Sequence, residues 1–158
     1  MPAEHILYPI LSRWSTLHPN FSAKCFLKRP SAEKSGCKVD QLDKIGYKIC
    51  SAGTLNINGS PASKEAVEAC AAKNVDLTGH RSSGLTESLI EQSDFIFVMS
   101  QNHLDYIVEN CPGAANKCLF LAENEEIPDP IGQPQLTYNN CADLIENAVK
   151  KRISELNL

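Results

Sequence analysis

The run Asp94-Phe-Ile-Phe-Val-Met99 is apolar without interruption after its first residue and is closed by Ser100. No other stretch limits the possible folds as much. A strand that is apolar at every position is buried on both faces, and a sheet buried on both faces needs helices above and below it. The surrounding text supplies them. Tyr47-Lys-Ile-Cys50 alternates briefly and stops at Ser-Ala-Gly, which predicts a strand and a turn. Pro61 to Ala72 is rich in helix formers, with Pro61 placed near the first turn. Thr86 to Gln92 predicts a shorter helix with Thr86 as its N-cap. Asn102 to Asn110 predicts another, ended by Cys111-Pro-Gly113. Lys117-Cys-Leu-Phe-Leu121 reads as a strand, and Leu136 to Leu156 as a long helix with an apolar stripe through Leu144, Ile145, Ala148, Val149 and Ile153. Repeated strand–helix alternation predicts a mostly parallel, doubly wound α/β domain.

The first third is harder to read. Lys24 to Lys34 has helical composition, but Pro30 in its interior costs ~3 kcal/mol or a kink. Ile6 to Leu11 is a candidate first strand, with Pro9 arguing against a central place in a sheet.

Bulk properties remove several function classes. With 158 residues and 42% hydrophobic content, one domain can bury a proper core. A net charge of -4 gives no overall reason to bind nucleic acid, although residues 1–48 carry eight Lys/Arg against four Asp/Glu and residues 49–158 seven against fifteen. Seven cysteines, none spaced Cys-x2-Cys, and four unclustered histidines argue against a structural zinc site and against a disulfide scaffold. Reduced thiols in a cytoplasmic protein are expected. No apolar stretch reaches the ~20 residues that span a bilayer. The short Ile6–Leu11 run lacks the flanks of a signal peptide, while the basic start leaves a weak organellar presequence open.

Taken in order, Gly46-Tyr-Lys-Ile-Cys-Ser-Ala-Gly-Thr54, Gly59-Ser-Pro-Ala-Ser-Lys-Glu-Ala-Val67, the segment Asn74 to Thr86 containing Leu77-Thr-Gly-His80, the strand from Asp94 to His103, and Ile127-Pro-Asp-Pro-Ile-Gly132 resemble the low-molecular-weight protein tyrosine phosphatase family, which includes protein arginine phosphatases. The resemblance runs from about Ala32 to the C-terminus. It implies one domain over residues 1–158 with residues 1–31 divergent. It further implies an α/β, three-layer fold whose mostly parallel four-stranded sheet is flanked by helices, the first strand being the open point. The resemblance makes Asp129 the general acid, and makes Ser51 and His80 supports of a phosphate-binding loop. Implied substrates are phosphorylated proteins or small phosphomonoesters, with phosphotyrosine and phosphoarginine not separated. No metal or organic cofactor is implied. Without the resemblance, Asp129 reads as a turn residue, His80 as a loop histidine and Ser51 as a turn serine.

The family's nucleophile belongs to a Cys-x5-Arg loop, and this chain has none. The residues six places after its cysteines are Ser31, Asp43, Asn56, Asp76, Lys117, Asn124 and Asn147. Counted back from the matched segments, the nucleophile falls near Arg13 and the arginine near Pro19, and neither substitutes chemically. Such a loop lowers the thiol pKa and cradles phosphate oxygens through backbone N–H groups, usually with glycine to permit positive φ. The first glycine here is Gly36. Cys25 and Arg29 are too closely spaced to form the cradle, and Cys25 reads as a helix-face thiol. Cys111 and Cys118 suggest thioredoxin-coupled arsenate reduction, but that activity needs a cysteine where Ser100 stands. The expectation is therefore a phosphatase-family domain with little or no turnover. A misread coding sequence over the first ~30 residues and a non-catalytic module that binds a phosphorylated partner are the alternatives.

Overall fold

In the computed structural model, which describes residues 5–11, 23–45, 47–123 and 125–155, five strands form one sheet and every strand pair is parallel. The strands are β1 (His5–Leu11), β2 (Tyr47–Ile49), β3 (Ala52–Gly53), β4 (Phe95–Val98) and β5 (Cys118–Phe120). The helices are α1 (Ala23–Lys34), α2 (Lys64–Ala71), α3 (Glu87–Gln92), α4 (Gln101–Asn110) and α5 (Gln135–Glu155), with 3-10 segments at Val39–Ile45 and Pro112–Lys117. The lateral order is β2-β1-β4-β5, and β3 pairs with β1 beyond the end of β2. Thus β2 and β3 share one edge position, and the five strands fill the four positions expected.

β4 explains the three layers. Phe97 enters the cluster formed with Phe26 of α1, Ala66 and Cys70 of α2, and Ile145 and Val149 of α5. Its neighbours Ile96 and Val98 enter the opposite cluster, with Ile90 of α3 and Ile107 of α4. Successive side chains on a strand point to opposite faces, so one uninterrupted apolar run serves both cores.

Two expectations for the first third are corrected. β1 is a central strand, flanked by β2/β3 on one side and β4 on the other. Pro9 pairs in register with Phe97. On the other flank, pairing lapses between Leu7↔Ile49 and Ile10↔Ala52, so the gap in the ladder falls where Pro9 lies. A strand tolerates a residue without an N–H best at such a gap. Likewise α1 continues through Pro30. Its buried Phe26 and Ala32 pack into the α2/α5 core, and Lys34 Nζ donates to Ile153 O at 2.6 Å near the C-terminal end of α5. Burying one Phe is worth ~1.5–3 kcal/mol, which offsets a proline cost of similar size.

Helix starts also shift. α2 begins at Lys64, with Ser63 as N-cap accepting from Ala66 N, so Pro61 lies outside the helix. Thr86 caps α3 as expected by accepting from Leu89 N. The 3-10 segments and the two-residue β3 are additions that no periodicity announced.

Candidate functional site

Every strand runs the same way, so every loop that follows a strand leaves from one edge of the sheet. The chain departs from β1 toward β2 on one side, whereas β4 and β5 lie on the other. The crevice between the C-terminal ends of β1 and β4 is therefore the topological switch point, where open α/β sheets place their ligands.

Ser51 follows β2 at this edge. The segment carrying His80 is stitched alongside: Gly53 N donates to Ser83 O (2.8 Å), Leu85 N to Gly53 O (2.9 Å), Gly59 N to Ser82 O (2.9 Å) and Ser82 N to Ser60 O (2.9 Å). Gly84 N donates to Asn58 Oδ1 at 2.8 Å. Close approach makes Gly84 necessary, because a Cβ there would lie 2.7 Å from the Asn56 Cα. This stitching brings Ser51 and His80 into the wall of one open cavity of about 420 Å³. Lys28 of α1, Arg81 and Ser83 line it too, together with Cys50 and Asp76.

Arg81 is fixed by donating Nη1 to His80 O (2.7 Å) and Thr78 O (3.2 Å). Asp76 accepts from the Thr78 N–H (2.8 Å) and hydroxyl (2.7 Å) through Oδ1, and these bonds hold its carboxyl below the usual range. Sequence reasoning singled out neither Lys28, Arg81 nor Asp76. They come from two separate elements, and only Asp76 and Arg81, in the segment that carries His80, had a local clue.

Asp129 does not line this cavity. It sits in the loop after β5, half-buried, with Oδ1 accepting from Ile131 N at 3.1 Å. That loop is tied to the exit of β4: Ile127 N donates to Met99 O (2.9 Å), and Gln101 N, at the start of α4, donates to Glu126 Oε1 at 2.6 Å. Ser51 and Asp129 therefore share the sheet's ligand edge but stand on either side of the exit of β1. Arg13 and Pro19, the positions counted back for nucleophile and arginine, lie outside the described residues.

Three of the six described thiols are shifted away from the nucleophilic form. Burial first, and then the Asp129 charge, push Cys141 up to about 12. Burial raises Cys118, whose Sγ donates to Ala114 O. Burial raises Cys111 as well, with Glu87 and Glu91 adding to it. All three are held as thiols, and a thiol attacks far more slowly than a thiolate. His103, buried against β4, is pushed down to about 4 by burial, with Glu126 opposing; its Nδ1 faces the Met99 N–H at 3.4 Å. It is neutral and serves packing, not proton transfer at neutral pH. Among the described residues no group of three or more His, Cys, Asp and Glu could hold a metal ion, and no helix is long and apolar enough to cross a membrane.

Residues 30–158 match the family model described as low molecular weight phosphotyrosine protein phosphatase. A protein-arginine-phosphatase from Geobacillus stearothermophilus is 30% identical over 116 residues, covering 70% of this chain and 78% of the relative. A low molecular weight protein-tyrosine-phosphatase, Ptp, from Acinetobacter johnsonii is 31% identical over 103 residues, covering 64% and 72%. Among solved structures, a mutant of YwlE from Bacillus subtilis superposes with a TM-score of 0.79 at 24% identity, over 99% of this chain and all of that one. The tyrosine phosphatase Wzb from Escherichia coli K30, in complex with sulphate, gives 0.76 at 23% identity, over 98% and 99%. At these identities the superpositions establish a shared fold.

Proposed function

Because the chain belongs to the low molecular weight phosphotyrosine protein phosphatase family, we propose that it is a protein-phosphatase domain that has lost the hydrolytic step while keeping the surroundings of that step. One observation carries the reading: Cys-x5-Arg occurs nowhere in the 158 residues.

The chemistry makes that loss decisive. Hydrolysis through a cysteinyl-phosphate needs a thiolate in line with the leaving oxygen, backbone N–H groups and an arginine on the phosphoryl oxygens, and an acid to protonate the leaving group. In this reading Asp129 is the retained acid, and Ser51 and His80 are the retained loop supports. Residues 1–31 are the divergent segment. The raised thiols of Cys111, Cys118 and Cys141 make these three poor substitutes for the missing nucleophile. The six described cysteines are free thiols, which supports a reducing compartment and a cytoplasmic location. The substrates of the intact reaction would be phosphorylated proteins or small phosphomonoesters.

The test is steady-state release of p-nitrophenol from p-nitrophenyl phosphate by the purified 158-residue protein, across weakly acidic to neutral pH. No release above buffer is expected. Release that disappears in Asp129→Asn would overturn the reading, since it would show a working acid with a nucleophile to serve.

A further inference from the structure

A second cavity, also of about 420 Å³, opens between α1 and the 3-10 segment Val39–Ile45. Its floor is apolar: Leu42, Tyr47 and Ile49 line it, and all three are buried in the core shared with α1 and α5. Val39 stands at the rim with 43% of its surface exposed. Asp40 and Asp43 bring two exposed carboxylates to the same wall. The ion pairs formed among the described residues engage Glu68, Glu123, Asp143, Glu146 and Glu155, which leaves Asp40 and Asp43 for a cation from outside.

The local backbone sets the spacing of these groups. A 3-10 helix has three residues per turn, so side chains at i and i+3 eclipse about 6 Å apart. Val39 and Leu42 therefore form one ridge, and Asp40 and Asp43 form the ridge beside it. In an extended peptide, residues i and i+2 face the same way and stand about 6.6 Å apart. The two carboxylates thus match two basic residues separated by one residue. The aliphatic stems of those residues lie on the apolar floor while their charged heads reach the rim. Lys28 lines this cavity and the neighbouring one, so its charge opposes a bound cation from one end.

We infer that this cavity docks an extended polypeptide segment of a partner that carries basic residues at alternate positions. Asp40 and Asp43 recognise the charges, and Val39, Leu42, Tyr47 and Ile49 form the bed for the stems. The inference is independent of hydrolysis and of the cavity at Ser51 and His80.

The experiment is an amide ¹H–¹⁵N titration of the full chain at neutral pH with end-capped peptides and with spermidine. The peptides are Ala-Lys-Ser-Lys-Ala, the same peptide with both lysines acetylated, and Ala-Lys-Lys-Ser-Ala. Saturable shifts are expected at Val39, Asp40, Leu42, Asp43, Tyr47 and Ile49. The alternating peptide should bind about tenfold more tightly than its acetylated form. It should also bind about threefold more tightly than the adjacent-lysine peptide, which has the same charge in the wrong spacing. Asp40→Asn and Asp43→Asn should each weaken the alternating peptide about threefold and leave the acetylated one unchanged, whereas Lys28→Gln should tighten it about twofold. A thermal melt checks that each variant is folded, and the wild-type affinity order stands without any variant. Equal affinity for the alternating and adjacent peptides, or spermidine binding as tightly as the alternating peptide, would overturn the inference. So would a preference that survives both aspartate substitutions, or the absence of saturable shifts at these residues.

Discussion

Gly84 joins local backbone geometry to the candidate site. Its hydrogen atom faces the Asn56 backbone at a distance where a methyl group would clash, and Asn56 itself sits at φ 53. Neither backbone can retreat without breaking the stitching that holds His80 beside Ser51. Gly84→Ala is expected to cost roughly 1–3 kcal/mol, read as a lower urea midpoint at unchanged slope. His103 makes a second claim at this scale. Its pKa is lowered from 6.5 to about 4 in the folded chain. Between those values the unfolded chain binds a proton that the folded chain refuses, so stability falls as pH falls from 6.5 toward 4. The slope is about 1.4 kcal/mol per pH unit at most. His103→Gln should flatten that part of the curve, measured by urea unfolding at several pH values. A curve identical to wild type would show that His103 is not buried in its neutral form.

At the scale of elements, helix starts separate three serine and threonine positions that look alike in the text. Ser63 and Thr86 each accept a backbone N–H at 3.2 Å, whereas Ser100 heads α4 without a side-chain cap bond. The α4 start is served instead by Glu126, reaching across from the Asp129 loop. Ser63→Ala and Thr86→Ala should each cost about 1 kcal/mol, and Ser100→Ala almost nothing, by chemical denaturation. β4, through its unbroken apolar run, and α5, through its helical stripe, were legible from sequence because one apolar pattern dictated both conformation and burial. Pro61 misplaced the start of α2, since proline marks a first turn only when no better cap follows it. β3 is two residues long and has no period to read. Pro9 and Pro30 misled for different reasons: Pro9 falls at a gap in the β1 ladder, and at Pro30 local propensity lost to the packing of α1 on α5.

For the whole molecule, β1 holds the two halves of the sheet together, so residues 5–11 matter more than their length suggests. A chain beginning at residue 12 should lose its cooperative thermal transition by circular dichroism; a sharp, two-state melt would mean that β1 is dispensable. The site was only partly legible. Order and spacing of motifs revealed the family and drew attention to Ser51, His80 and Asp129. Lys28 carries no motif and Asp76 lies in the Asn74–Thr86 segment without a role assigned to it, and folding alone brings the two together around the cavity. That Asp129 stands apart from that cavity, across the exit of β1, likewise follows from strand order and not from any local pattern. The central claim is that the family's surroundings persist without a nucleophile. It is tested most directly by mixing the protein with a phosphorylated substrate, quenching in acid within milliseconds, and measuring the intact mass. The expected result is the unmodified chain alone. A species heavier by one phosphoryl group, mapped to a cysteine, would contradict it.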